Sequence, residues 1–259
     1  MKKIIFLAVT GIIAFSCNQK KQEYPKNADV LADNLKGNVE QTVTTDYKVD
    51  STGKIGEQDS CCVVTVKYDK KGYITKYSSI NKVGTDSDEE AFTHFDNGAM
   101  KGIKISKNGN LSLAFSIQID KDGKYSGAEQ YDSTNKMKFY FTNILQNDYG
   151  QITDMKKYNA DSTFSGSMSN TYNNQINTGG EMKDSLGKVT STTTLKLDDK
   201  NNVIESDTKS VVKDSTTNKV TKYKYDSFDD KGNWTQRTQS DENGKPEKIT
   251  KREITYYKD

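Results

Sequence analysis

FDDKGNWT, residues Phe228–Thr235, decides how this chain is read. Its form returns as YDKKGYIT from Tyr68, IDKDGKYS from Ile119, NDYGQIT from Asn147, KDSLGKVT from Lys183 and LDDKNNVIE from Leu197. Looser copies are VDSTGKI from Val49 and SDENGKP from Ser240. The shared pattern is Asp, two variable residues, Gly or Asn, and then a return to alternating residues. Asp accepts hydrogen bonds from backbone amides ahead of it and so starts a turn. The next two residues take ordinary helical dihedrals, and Gly takes the positive φ that closes a hairpin with a bulge. FDDKGNWT is therefore a turn first, and a ligand site or metal loop only second.

The stretches between turns read as strands. Leu111, Leu113, Phe115, Ile117 and Ile119 alternate with Ser112, Ala114, Ser116 and Gln118, which marks one buried face. Val43, Thr45, Tyr47 and Val49 repeat the pattern, as do Val64, Val66 and Tyr68, Met137, Phe139 and Phe141, and Thr193, Leu195 and Leu197. Beyond Gly37 no stretch has helical periodicity. Before it, Asn27 to Lys36 reads as one short helix, with Asn27 as its cap, Val30, Leu31 and Leu35 on one face, and Gly37 as its stop. Only 32% of residues are hydrophobic and the mean hydropathy is -0.88, yet two prolines and 15 tyrosines argue against disorder. A fold with one thin apolar layer and much wet surface satisfies both facts.

The chain opens MKKIIFLAVTGIIAFSC: Lys2 and Lys3 are basic, Ile4 to Phe15 is almost wholly apolar, and Ser16 precedes Cys17. The apolar run is shorter than the ~20 residues of a spanning helix and has the order of an export signal. Ala14, Phe15, Ser16 and Cys17 resemble the lipobox of bacterial lipoproteins, with Phe15 where a small residue is usual. The resemblance implies cleavage before Cys17 and a lipid anchor on its thiol and new amino terminus. Asn18 stands where an inner-membrane lipoprotein often carries aspartate, so the same resemblance implies the outer membrane, on its periplasmic or its surface side. Cleavage would remove two of the 38 basic residues, leaving 36 against 36 acidic ones. A neutral exported chain has no field to draw in nucleic acid.

The repeated turns resemble the YD (Rhs) repeat family, most closely in YDKKGYITKY from Tyr68 and YDSFDDKGNWTQRT from Tyr225, and again in the opening stretch from Leu35. Long Rhs proteins wrap such repeats into a hollow shell. Scaled to this length, the resemblance implies an all-β, curved antiparallel meander of hairpins, open or rolled upon itself, with no encapsulated cargo.

Chemistry is harder to find. Asp120 and Asp122 before Gly123 start like a calcium loop, but Lys124 and Tyr131 occupy positions that need oxygen ligands. One histidine and two spare cysteines do not make a usual zinc cage. His94 and Asp96, two apart, would share a face if a strand ran through both, yet no nucleophile motif accompanies them. Adjacent Cys61 and Cys62 face opposite sides of an extended strand, either as small apolar residues or as a strained vicinal disulfide. Asp86, Asp88, Glu89 and Glu90 read as solvated loop charge rather than a glycosidase pair. Tyr223, Tyr225 and Trp234 are the candidate ligand-binding residues, an aromatic platform of the kind that binds sugars or peptides; the alternative is cross-strand stabilisation of an open sheet.

The expectation is therefore a signal peptide at 1–16, lipidated Cys17 and a polar tether at 17–26, and one repeat-built β domain at 27–259. It acts as a non-catalytic binding or scaffolding surface for a glycan or protein, without metal or cofactor. The alternative is an exported hydrolase acting on glycans.

Overall fold

The computed structural model describes residues 23–50, 53–81, 86–212 and 215–258. The export signal and Cys17 lie outside them, as do the side chains of Cys61 and Cys62. One short helix, α1 (Asp29–Ala32), precedes sixteen strands. These are β1 (Val39–Val49), β2 (Ile55–Tyr68), β3 (Ile74–Ile80), β4 (Ser87–His94), β5 (Met100–Lys107), β6 (Asn110–Ile119), β7 (Tyr125–Asp132) and β8 (Met137–Gln146). They continue as β9 (Ile152–Asn159), β10 (Phe164–Asn173), β11 (Ile176–Asp184), β12 (Val189–Leu197), β13 (Val203–Val212), β14 (Ser215–Phe228), β15 (Trp234–Ser240) and β16 (Pro246–Tyr256).

The fold is all-β and antiparallel, as the alternation implies, and each strand pairs with its neighbours in sequence. The expected open or rolled meander is corrected in one respect. β1 pairs with β16 through Thr42↔Ile254, Thr44↔Arg252 and Asp46↔Thr250, so the sheet is a closed barrel. Scaling down from long shells misleads here, because in an up-and-down sheet one ladder satisfies both free edges at once. A barrel of this strand number is too wide for side chains to fill, so closure creates an enclosed lumen.

FDDKGNWT is the turn its residues imply. Asp229 Oδ1 accepts the amides of Lys231 at 3.0 Å and Asn233 at 2.9 Å, the Gly232 amide donates to Asp229 O at 3.1 Å, and Gly232 has φ 82°. Asp69, Asp120, Asp184, Asp198 and Asp241 repeat this set of bonds. Asp120 is thus occupied by its own turn. In NDYGQIT the role falls to Asn147, which accepts from Tyr149 and Gln151, and not to Asp148. A Cβ at Gly232 would meet only the flexible Lys36 side chain, at an ordinary contact distance of 3.6 Å, so Gly232→Val is expected to cost about 1 kcal/mol or more, chiefly from backbone strain. Lys231→Ala should cost little; equal chemical-denaturation midpoints for the two variants would refute the turn assignment.

The amino-terminal segment differs from the expected helix. Only Asp29–Ala32 is helical, its cap residue is Ala28, and no side chain caps it. Asn34, not Gly37, ends it at φ 54°, with Leu35 N bonded to Val30 O and Asn34 N to Leu31 O, a Schellman closure. Asn27 instead accepts from the Tyr73 hydroxyl and donates to Asn97 O. Continuing the helix would forfeit Asn34's bond to Lys200 O at 3.0 Å. The segment lies as a cap across the barrel end formed by the loops after the even-numbered strands. It bonds Gly72 after β2, Asn97 after β4, Gln175 after β10, Lys200 after β12 and Asn233 after β14. Tyr24, in the stretch read as tether, donates to Gly37 O and packs on the same cluster. Val30, Leu35 and Val39 are buried there with Tyr68 and Tyr73. The tightest apolar core therefore lies under the cap, and Gly72 admits it, since a Cβ there would stand 2.6 Å from Val30.

Candidate ligand cavity in the lumen

Strand alternation assigns the two barrel faces. Ile103, Phe115, Ile117, Phe141, Met155 and Met168 line a lumenal cavity of about 680 Å³ beneath the cap. Their register partners share that face: Ile103 opposes Phe115, Ile117 opposes Ala128, Ala128 opposes Phe141, and Met155 opposes Met168. The residues between them point outward, and Lys104, Ser116 and Lys156 are exposed. Outward charges also pair across strands, Lys76 with Glu89 at 2.5 Å and Lys196 with Glu205 at 2.6 Å. A membrane-spanning barrel has the reverse arrangement, an apolar outer band around a polar lumen, and each outward lysine at mid-membrane depth costs ~2–4 kcal/mol. Beneath the cap, then, the inner face of the wall is apolar and the outer face carries charge.

The cap supplies the polar edge of the cavity. Asp29 Oδ2 accepts the Ile74 amide at 2.7 Å and lies 3.9 Å from His94 Nε2. Burial pushes the Asp29 carboxyl up to about 6, with the Ile74 bond opposing and nearby Asp33 adding to the rise. Burial also lowers the His94 pKa, and its ring packs 5.2 Å from that of Tyr73. β4 ends at His94 and Asp96 falls in the following turn, so the strand pairing of those two does not form; His94 meets Asp29 instead. Asp33 accepts from the Tyr68 hydroxyl at 2.5 Å, and burial raises its pKa against that bond and the field of Arg252.

Asp29 sets a pH dependence. The folded carboxyl keeps its proton up to about pH 6, whereas the unfolded one loses it near 3.8. The folded state binds more protons in that window, so stability falls as pH rises through it and levels off above. Asn can still accept from Ile74, so Asp29→Asn is expected to stabilise by roughly 1–2 kcal/mol at pH 7.5 after allowance for solvent screening, and by almost nothing at pH 4. Denaturation at the two pH values measures it; a variant less stable at pH 7.5 would refute the burial argument.

The platform residues do come together, on the lumen wall rather than an open sheet face. Tyr225 and Trp234 have ring centroids 5.9 Å apart, and Tyr223 shares the face of Tyr225. Two residues that sequence reading missed join them. Arg237 Cζ lies 4.8 Å from both the Tyr223 and Trp234 rings, and Arg252 Cζ lies 3.7 Å from Trp234. They are the only arginines in the chain, a signal that composition alone offered. The acidic run is also placed differently: Asp86 precedes strand β4, and Asp88, Glu89 and Glu90 lie on it. Asp88 and Glu90 share the inward face with Tyr77, and Glu89 points out. Burial raises the Glu90 pKa, and Asp88 adds to it. Among the described residues no group of three or more His, Cys, Asp or Glu side chains could hold a metal ion.

No protein-family model matches the chain, and no curated protein does. Among solved structures, a porin-like protein from Bacteroides uniformis superposes with a TM-score of 0.52 at 11% identity, over 84% of this chain and 98% of that one. A porin-like protein from Bacteroides vulgatus gives 0.41 at 12% identity, over 85% and 99%. The TcdB2–TccC3 complex gives 0.28 at 12% identity, over 79% of this chain and 13% of that one. The first likeness is one of fold alone.

Proposed function

We propose that this protein is a lipid-anchored envelope protein that holds an apolar molecule inside its barrel. The carrying observation is the inversion of faces, with Phe115, Phe141 and Met168 around a cavity of about 680 Å³ and exposed lysines on the outer wall. The volume falls within the ~300–1,000 Å³ of small-molecule sites. Anchoring rests on the lipobox-like Ala14 to Cys17, and an outer-membrane address on Asn18. The barrel then stands in the aqueous phase, tethered to the membrane through the lipid on Cys17 and not through its wall. Rhs-like turns provide the hairpins, and binding moves from an exposed platform to the lumen. The work is binding and not turnover. Titration with an environment-sensitive apolar fluorophore tests this: saturable, one-site uptake by the folded protein is expected, and its absence overturns the reading. Release of sugar from an envelope glycan by the purified protein would point instead to the hydrolase alternative.

A further inference from the structure

Arg237 and Arg252 are the two arginines in a chain whose other basic residues are lysines and the single His94, and the fold brings both to one patch of lumen wall. Lysine suffices for solubility; arginine adds planar stacking and a fixed fork of donors. Trp234 provides the stacking surface for both. Each guanidinium is half-buried. Arg252 spends its Nε on Trp234 O at 3.0 Å, and Arg237 also lies beside the Tyr225 hydroxyl. Arg237 Nε is buried with no hydrogen-bond partner. Among the described residues neither guanidinium forms an ion pair with a carboxylate.

Two like charges held together, partly out of water and with a donor unused, are costly unless an anion completes the site. Asp33 lines the apolar cavity and lies within the field of Arg252. The arginine patch and the apolar wall thus meet at one cap residue. We propose that Arg237 and Arg252 bind the anionic head group, carboxylate or phosphate, of an amphiphile whose apolar chain lies against Phe115 and Phe141. This rests on the lumenal-binding reading above. Bidentate geometry suits both head groups.

The test uses the full-length chain in phosphatidylcholine nanodiscs, with empty nanodiscs as the partition baseline and an apolar fluorophore bound in the lumen. Hexadecanoate, hexadecyl phosphate and hexadecanol are compared as competitors. At least one of the two anions is expected to displace the fluorophore at about tenfold lower concentration than hexadecanol. Whichever shows the preference identifies the head group. Arg237→Gln should remove most of that preference and leave hexadecanol unchanged. Equal displacement by all three in the wild-type chain overturns the head-group assignment and leaves lumenal binding standing, and it needs no variant to fold. A fluorophore that binds but is displaced by none of the three excludes the amphiphile and also leaves lumenal binding standing. No fluorophore binding at all overturns both readings.

Discussion

Phe115→Asp is expected to raise the apparent Kd of the protein for an apolar fluorophore by about tenfold or more, while Ser116→Asp leaves it unchanged. The two residues are adjacent on β6, so local propensity and position along the barrel are nearly the same. They differ in face: Phe115 lines the cavity and Ser116 is exposed outside. A carboxylate set in the apolar wall either keeps water in the cavity or is desolvated when ligand enters, and both weaken apolar binding. The outward carboxylate joins a surface already rich in charge, where substitutions change stability by only ~0.5 kcal/mol. Fluorescence titration gives the affinities, and a thermal melt of each variant shows whether the barrel is intact. A membrane-spanning barrel reverses the expectation, since Ser116→Asp would then place charge in lipid and Phe115→Asp would join a wet channel. Unchanged binding in a folded Phe115→Asp protein would sink the lumenal reading.

Cys17→Ser is expected to move the protein from the membrane pellet to the soluble fraction almost completely. Dual acylation is sufficient for stable anchoring, whereas one chain gives only marginal binding. Among the described residues no helix is long and apolar enough to cross a membrane, and the outer wall carries exposed lysines. Fractionation of cells expressing each form measures the shift, and intact mass of the wild-type protein should show the acyl chains. A Cys17→Ser protein that stays in the pellet after a salt wash would overturn anchoring through this residue.

What was legible in the sequence was legible locally. The Asp-x-x-Gly turns are set by bonds spanning four residues, so Asp229 and Gly232 behave as their types require wherever the hairpin sits. Alternation likewise placed Phe115 and Ile117 on one face and Ser116 on the other. The cap was legible only in part. Val30, Leu31 and Leu35 were legible as one apolar face, read there as a helix, but Asn27 and Asn34 follow partners far along the chain, at Asn97 and Lys200. Arg237 and Arg252 carry no local signal beyond their rarity, because what makes them a pair is contact across strands. Inside a lumen the same residues are half-buried and stacked on Trp234.

By itself, then, the sequence determined all-β texture, the turn positions and the alternating faces of the strands. Each of these depends on interactions among residues close together in the chain. The tertiary structure alone decided that the meander closes, which face turns inward, and which end is capped. A hairpin has the same turn and the same alternation in an open sheet as in a barrel, so no local signal separates the two. The decision is made where β1 meets β16, with Thr44 opposite Arg252. That ladder satisfies two free edges together and turns the apolar faces of the sheet into the wall of a cavity.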